Sequence, residues 1–278
     1  MPPLRTGTER HKDFPDVWQA LLILALLLGI EILIGAGFRD AGARFGRGDP
    51  KYIGIITVFA CGIIFSLLLS YKNLSYSELF HPSSKSVRDV LGPLVLPLLL
   101  TTAGSVILAT EINNALVYIF PMSQSELDMF IEMVSGGVVS AITLCVIAPF
   151  VEEMLFRGLF LRSFLSNYST VRAVTLTSVL FGLAHLNIYQ FVIASVLGLL
   201  SGWLYVVTRS LWPSIFEHAI YNSGVMLYYF QSDHDLQTSA ATSIPAHNPL
   251  VLLIALAAFA LGLYWVYQVV GRYREAAP

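Results

Sequence analysis

The sequence predicts an all-α protein, a polytopic bundle of about eight membrane-spanning helices. Of its 278 residues, 56% are hydrophobic and only 12% are charged, about half of the ~25% charged residues found in a soluble globular chain. The apolar residues form continuous runs and do not alternate with polar ones, which argues against a membrane β-barrel. A net charge of −2 argues against a nucleic-acid partner, because nucleic-acid-binding surfaces are basic.

Eight apolar segments approach the length of about 20 residues that crosses the hydrocarbon core of a bilayer. A ninth segment, Asn73–Asp89, mixes polar and apolar residues and predicts a short interfacial helix that ends near Pro82. We find no internal repeat and no low-complexity tract, so we expect residues 1–278 to form a single integral membrane domain. The predicted spans are residues 17–37, 52–70, 90–110, 136–160, 172–187, 189–208, 212–231 and 249–270.

The basic residues predict that both termini lie in the cytoplasm. With the N-terminus inside, the cytoplasmic segments contain most of the lysines and arginines, as the positive-inside rule requires. The outer loops contain four, Arg39, Arg44, Arg47 and Lys51, and all of them lie in the first loop. From the short tails and the lack of a targeting sequence, we expect an integral protein of a prokaryotic cytoplasmic membrane, with lipid as its surroundings.

The stretch APFVEEMLFRG, residues 148–158, places three ionisable side chains beside an apolar run. A charge at the centre of a membrane helix costs at least ~2.5–3.5 kcal/mol, so such residues are usually functional. Glu153 and Arg157 have the i, i+4 spacing of a helical ion pair, whereas Glu152 points about 100° away and is free for chemistry. Pro149 suggests that a helix starts afresh there. The alternative is that all three side chains reach the interface at a helix end.

Two further motifs place polar groups on later spans. FGLAH contains Phe181 and His185, and HAIYN contains His218 and Asn222 one helical turn apart. His218 and Asn222 could donate side by side to one oxygen. The alternatives are a hydrogen-bonded core histidine for His185, and polar contacts that hold helices together for the other pair.

If these groups converge, they supply a carboxylate, two imidazoles and an amide. A Glu–His pair can hold and deprotonate a water molecule, and a second His with an Asn can stabilise an oxyanion. This is the equipment for peptide-bond hydrolysis without a covalent intermediate. The same side chains leave zinc open, since Glu152, His185 and His218 would form a His₂Glu set. We favour no cofactor, because the HExxH signature is absent from the sequence.

Other hydrolase classes find little support in the sequence. There is no GxSxG elbow, and the GRGD stretch, residues 46–49, lies in a polar loop. Cys61 and Cys145 lie in apolar runs and are expected to be buried hydrophobic residues. A transporter with an intramembrane carboxylate and histidine relay is a third interpretation.

Two glutamates and one pair of glycines in the predicted spans are not part of these motifs. Glu31 in the first span is expected near the outer interface, paired with first-loop arginines. Glu217 either supports the site or pairs with Arg209. Gly198 and Gly202 form a GxxxG step that predicts close helix packing inside the bundle.

The three motifs together resemble the CPBP membrane proteases, which include the type II CAAX prenyl endopeptidases. That family has the pattern EExxxR, FxxxH and HxxxN on successive membrane helices. This chain has EEMLFR at 152–157, FGLAH at 181–185 and HAIYN at 218–222, in the same order. The resemblance covers residues 136–231, which would be the catalytic core helices.

The resemblance implies roles for the motif residues. Glu152 would activate water and His185 would orient that water, while His218 and Asn222 would form the oxyanion hole. This family has been described both as metal-dependent and as glutamate-dependent, and the missing HExxH favours the second description.

The resemblance also implies supporting roles and a class of substrate. Glu153 and Arg157 would support the site and Phe181 would pack it. The substrate would be a peptide or protein, which in eukaryotic members is prenylated. The alternative is a catalytically inactive membrane scaffold, or a bacteriocin self-immunity protein, of the same fold.

Overall fold

The computed structural model describes residues 13–41, 50–231 and 247–275, and every regular element within these ranges is helical. The predicted all-α fold is therefore confirmed. The helices are α1 (Val17–Ala41), α2 (Pro50–Lys72), α3 (Tyr76–Phe80), α4 (Val87–Ile119), α5 (Gln124–Ser135), α6 (Gly137–Asn167), α7 (Thr170–Leu183), α8 (Ile188–Thr208), α9 (Trp212–Gln231) and α10 (Pro249–Glu275).

Each of the eight predicted spans coincides with one of these helices, and the protein is an integral membrane protein. By length and composition, five segments are apolar enough to cross a bilayer, and α2 and α7 contribute shorter apolar stretches. The five segments are Val17–Gly37, Val87–Ile119, Gly137–Asn167, Ile188–Thr208 and Pro249–Tyr273. The segment predicted to form a short interfacial helix contains α3, which begins after the N-cap Ser75 and buries Leu79.

The structure adds a helix in residues 111–135, between the predicted third and fourth spans. α4 continues to Ile119 and α5 follows at Gln124. The Ser123 hydroxyl oxygen caps α5 by accepting a hydrogen bond from the Glu126 N–H, and the Glu126 carboxylate accepts one from the Ser123 N–H. This capping box has the S-x-x-E spacing that marks a helix start in a sequence, so the letters SQSE at 123–126 already indicate where α5 begins.

Two boundaries inside the motif region also differ. Pro149 does not begin a new helix, because α6 runs through it from Gly137 to Asn167. Instead, α6 widens into π-helical turns at Thr143–Ile147 and Met154–Leu161. α7 ends at Leu183, so His185 lies in the short connection to α8 and not on a helix.

Several sequence predictions concern residues outside the described ranges. The N-terminal basic cluster before residue 13, the GRGD stretch and the first-loop residues Arg44 and Arg47 all lie there, as does the 232–246 loop. The orientation of the termini therefore stays a prediction.

Close helix contacts at glycines hold the bundle together. A Cβ on Gly198 would lie 3.0 Å from the Ser178 Cβ, and one on Gly202 would lie 3.0 Å from the Val174 Cγ1. Both neighbours belong to α7, so the predicted close packing of the GxxxG step is confirmed. α4 and α10 approach just as closely, since a Cβ on Gly262 would lie 2.5 Å from the backbone nitrogen of Thr101.

We predict that Gly262→Ala lowers the apparent melting temperature of the detergent-solubilised protein. The new methyl group would meet the α4 backbone, and such overpacking costs roughly 1–3 kcal/mol. Gly271→Ala on the same helix is the matched control, because no atom lies within 4 Å of its added Cβ. It should leave stability unchanged or raise it, since alanine is favoured over glycine in a helix by about 1 kcal/mol. Equal melting temperatures for the two variants would contradict the close contact of α4 with α10.

Candidate active site

A buried ion pair lies at the centre of the motif region. Arg157 Nη1 donates to Glu153 Oε1 over 2.7 Å, and the two residues are 1% and 0% exposed. The predicted i, i+4 pair is therefore confirmed, although Arg157 lies in a π-helical stretch of α6. Because both charges are shielded from solvent, their mutual attraction is weakly screened and each depends on the other to remain buried.

Arg157 also joins α6 to two neighbouring helices. Its Nη2 donates to the carbonyl oxygen of Gly198 on α8 over 3.1 Å. Its guanidinium lies 4.6 Å from the ring centroid of Phe181 on α7, within the range of a cation–π contact. The close approach of α7 and α8 at Gly198 is what brings this carbonyl within reach of the arginine.

His218 lies between the two glutamates. Its Nδ1 is 3.1 Å from Glu153 Oε1, and its Nε2 is 3.8 Å from Glu152 Oε2. Since an ionised carboxylate only accepts, Nδ1–H donates to Glu153. Glu153 thus fixes the orientation of the imidazole, and the opposite nitrogen faces Glu152.

Glu152 is the least engaged of the three charged residues. It lies midway along α6, fifteen residues from Gly137 and fifteen from Asn167. Its side chain is 30% exposed, yet its Oε2 atom is buried and has no hydrogen-bond partner. The interpretation in which all three side chains reach an interface at a helix end does not hold for Glu153 and Arg157, because both are buried inside the bundle.

Phe181 brings the two histidines together. Its ring centroid lies 5.2 Å from that of His185 and 5.6 Å from that of His218, with both pairs edge to face. His185 Nδ1 is 2.9 Å from the Phe181 carbonyl oxygen. A carbonyl only accepts, so Nδ1 carries the proton and Nε2 of a neutral His185 has a free lone pair.

Asn222 satisfies a carbonyl that Pro149 leaves without a donor. In the π-helical turn before Pro149, the Ala148 N–H donates to the carbonyl of Thr143, five residues earlier. The next donor in this pattern would be the N–H of residue 149, which proline lacks, so the Leu144 carbonyl has no backbone donor. Asn222 Nδ2 donates to Leu144 O over 2.8 Å. One amide hydrogen therefore holds α9 to α6, and the other remains for a further acceptor.

Glu152 and His185 line a common cavity of about 190 Å³. Its walls come from α1, α2, α6 and the end of α7, so the helices outside the motif region complete it. Glu31 of α1 is also part of the lining. Glu31 therefore faces the site, while its expected depth near the outer interface and its pairing with first-loop arginines stay predictions, because those arginine side chains lie outside the described residues. The lining residues are Leu24, Leu27, Glu31, Thr57, Cys61, Val151, Glu152, Leu155, Phe156, Phe181, Ala184 and His185.

Glu217 connects α9 to α8 and does not pair with Arg209. It is 1% exposed, and its Oε2 accepts a hydrogen bond from the Ser201 hydroxyl over 2.7 Å. Ser214 Oγ donates in turn to the Ser201 carbonyl over 2.9 Å. This network holds the segment of α9 that precedes His218 against its neighbour.

The zinc alternative concerns Glu152, His185 and His218. Zinc requires its nitrogen and oxygen ligands at about 2.0–2.2 Å from one point. Within the described part of the chain, no group of three or more His, Cys, Asp or Glu side chains is arranged to hold a metal ion. Glu153 engages Nδ1 of His218 and the Phe181 carbonyl engages Nδ1 of His185, and both contacts leave Nε2 of the ring free. The zinc alternative therefore stays a prediction.

Comparison with known proteins gives matches to this same region. Residues 134–224 match the family model described as type II CAAX prenyl endopeptidase Rce1-like. The resemblance predicted from the three motifs is thus confirmed over that range, which contains all seven predicted site residues.

One curated relative is "Putative membrane peptidase YdiL" of Bacillus subtilis (strain 168). It is 26% identical over 82 residues, which cover 30% of this chain and 34% of that protein. The match therefore spans about a third of the length of this curated relative. No solved structure matches the chain.

We predict that Arg157→Met destabilises the protein by about 3–5 kcal/mol, since it leaves the Glu153 carboxylate buried without its cation. The double variant Glu153→Gln/Arg157→Met should regain much of this loss, because it removes both charges. Unfolding of the purified variants in a denaturing detergent series measures both values. A double variant no more stable than Arg157→Met would contradict the assigned pairing.

We predict that Asn222→Ala lowers the free energy of unfolding by about 1–3 kcal/mol, the cost of a buried polar group left unpaired. The same unfolding measurement applies. Ser223→Ala is the control, because the Ser223 hydroxyl bonds only to Ala219 of its own helix. Equal stability of the two variants would show that the bond from Asn222 to Leu144 contributes nothing.

Proposed function

We propose that this protein is a membrane-embedded endopeptidase that hydrolyses a peptide bond without a covalent intermediate. The observation that carries the proposal is the state of Glu152. Its buried carboxylate oxygen has no hydrogen-bond partner and lies 3.8 Å from His218 Nε2, and Glu152 lines the cavity that contains His185. The family match over residues 134–224 supports a peptidase of the CAAX type.

Glu152 is the general base in this proposal. A water molecule held between its carboxylate and His185 gives one proton to Glu152 as its oxygen attacks the peptide carbonyl carbon. His185 accepts a hydrogen bond from that water at Nε2, because Nδ1 is held by the Phe181 carbonyl. A water fixed at two points attacks from one direction, which lowers the entropic cost of the step.

His218 and Asn222 stabilise the oxyanion that forms on the carbonyl oxygen. The imidazolium form of His218 has a proton on both nitrogens, so Nδ1 donates to Glu153 while Nε2 donates to the oxyanion. Asn222 adds its second amide hydrogen. Donors that are fixed before the reaction stabilise the developing charge without reorganising, and removing one such donor typically costs about 10²–10³ in kcat.

The tetrahedral intermediate then breaks its carbon–nitrogen bond. The proton on Glu152 passes to the departing nitrogen, so the products are a carboxylic acid and an amine, and Glu152 returns to its ionised form. Glu153 and Arg157 are positioning residues in this scheme, because they act through His218 and through the register of α6. The Phe181 ring packs against the imidazoles of His185 and His218, and the Arg157 guanidinium lies over the face of the same ring.

The substrate in this proposal is a peptide or protein segment at the membrane, such as a prenylated C-terminus. Most of the cavity lining is apolar, and an apolar chain would enter it from the lipid at little desolvation cost. An inactive scaffold or self-immunity protein of the same fold is the alternative, and it has no need of the carboxylate of Glu152.

We predict that Glu152→Gln abolishes peptide cleavage while the protein remains folded. Glutamine keeps the shape of the side chain but cannot accept the proton of the water. The purified protein and the variant would be incubated with a library of prenylated and unmodified hydrophobic peptides, and the products would be identified by mass spectrometry.

Glu126→Gln is the control for this experiment, because it removes an exposed carboxylate outside the site. It should cleave as the unmodified protein does. Cleavage retained in Glu152→Gln would exclude the glutamate mechanism. Absence of products from every protein across both peptide classes would favour the scaffold.

A further inference from the structure

Glu31 is a carboxylate that the proposed reaction does not use. It lies on α1, outside the segment that matches the peptidase family. Even so, its side chain lines the cavity that contains Glu152 and His185. A carboxylate in a membrane helix is costly and is retained where it has a task.

Two carboxylates, those of Glu31 and Glu152, line the cavity, and no lysine or arginine is among its lining residues. Arg157 is paired with Glu153 and is not part of the lining. The two carboxylates share this one cavity of about 190 Å³. Like charges in a largely apolar cavity repel each other, so a positive charge between them would be favoured.

Thr57 of α2 lines the same cavity as Glu31. The remaining neighbours in this part of the lining are apolar, among them Leu24, Leu27 and Leu155. An apolar wall that ends in a carboxylate suits a lysine or arginine side chain, whose methylene stem packs on hydrocarbon while its charged end is paired.

We propose that Glu31 is a specificity-determining residue, which binds a basic side chain of the substrate beside the scissile bond. The inference rests on the proposed peptidase function. It places the basic residue next to the cleaved bond because Glu31 and Glu152 share one cavity of about 190 Å³. The substrate class is therefore an apolar peptide with a lysine or arginine at the cleavage site.

The test uses two peptides that differ only at the residue next to the cleaved bond, which is lysine in one and norleucine in the other. Norleucine has the same stem without the charge. Binding of each peptide is measured on the full chain of Glu152→Gln and of the double variant Glu31→Gln/Glu152→Gln. We expect Glu152→Gln to bind the lysine peptide roughly tenfold more tightly, and the double variant to bind both peptides alike.

Cleavage provides the second readout. The unmodified protein should cleave the lysine peptide with a kcat/KM roughly tenfold higher, and Glu31→Gln should reduce this ratio to about one. Glu126→Gln should keep the ratio of the unmodified protein. Equal binding of the two peptides by Glu152→Gln, or a lysine preference that persists without Glu31, overturns the inference. So does an equal loss on both peptides, which would indicate a structural role.

The two proposals fail in different ways. If the lysine peptide binds preferentially and depends on Glu31, but no protein cleaves it, the binding role of Glu31 stands and the peptidase function fails. If both peptides are cleaved in a manner that depends on Glu152 but without discrimination, the function stands and the role of Glu31 fails.

Discussion

The buried ion pair of Glu153 and Arg157 is the constraint on which the rest of the structure depends. Two charges without access to water must satisfy each other, and the remaining hydrogen-bonding groups must find partners on neighbouring helices. Arg157 therefore reaches Gly198 on α8 and the Phe181 ring on α7, and Glu153 reaches His218 on α9. Four helices thus meet at one pair, and Glu152, the residue beside it, is left with an unpartnered oxygen in a cavity.

The π-helical turns of α6 also help to position the residues of the site. A proline within a helix removes one backbone donor, and here the turn before Pro149 widens so that the helix continues. Asn222 of α9 donates a hydrogen bond to the Leu144 carbonyl, which has lost its backbone donor. The missing backbone donor in α6 therefore fixes the position of Asn222, which the proposed mechanism needs. The side-chain amide of Asn222 joins α9 to α6 with one hydrogen and keeps the other for the substrate.

The first two helices complete the site although they lie outside the family match. They supply one wall of the cavity, including Glu31 and Thr57. Under the proposed function, the matched segment contains the groups for the chemistry, and α1 and α2 select what enters. Such a division lets the first helices change with the substrate while the ion pair and the imidazoles stay as they are.

The sequence by itself determined the all-helical membrane fold, the positions of the spans and the pairing of Glu153 with Arg157, because hydrophobic length and i, i+4 spacing are local properties of the chain. It also contained the three motifs that the family match confirms over residues 134–224. Only the tertiary structure decided that Glu31 faces Glu152, that Glu217 bonds to Ser201 and that Asn222 bonds to Leu144. These contacts join residues far apart along the chain, and the rotation of each helix about its axis, which is set by packing at glycines such as Gly198, determines which polar groups meet.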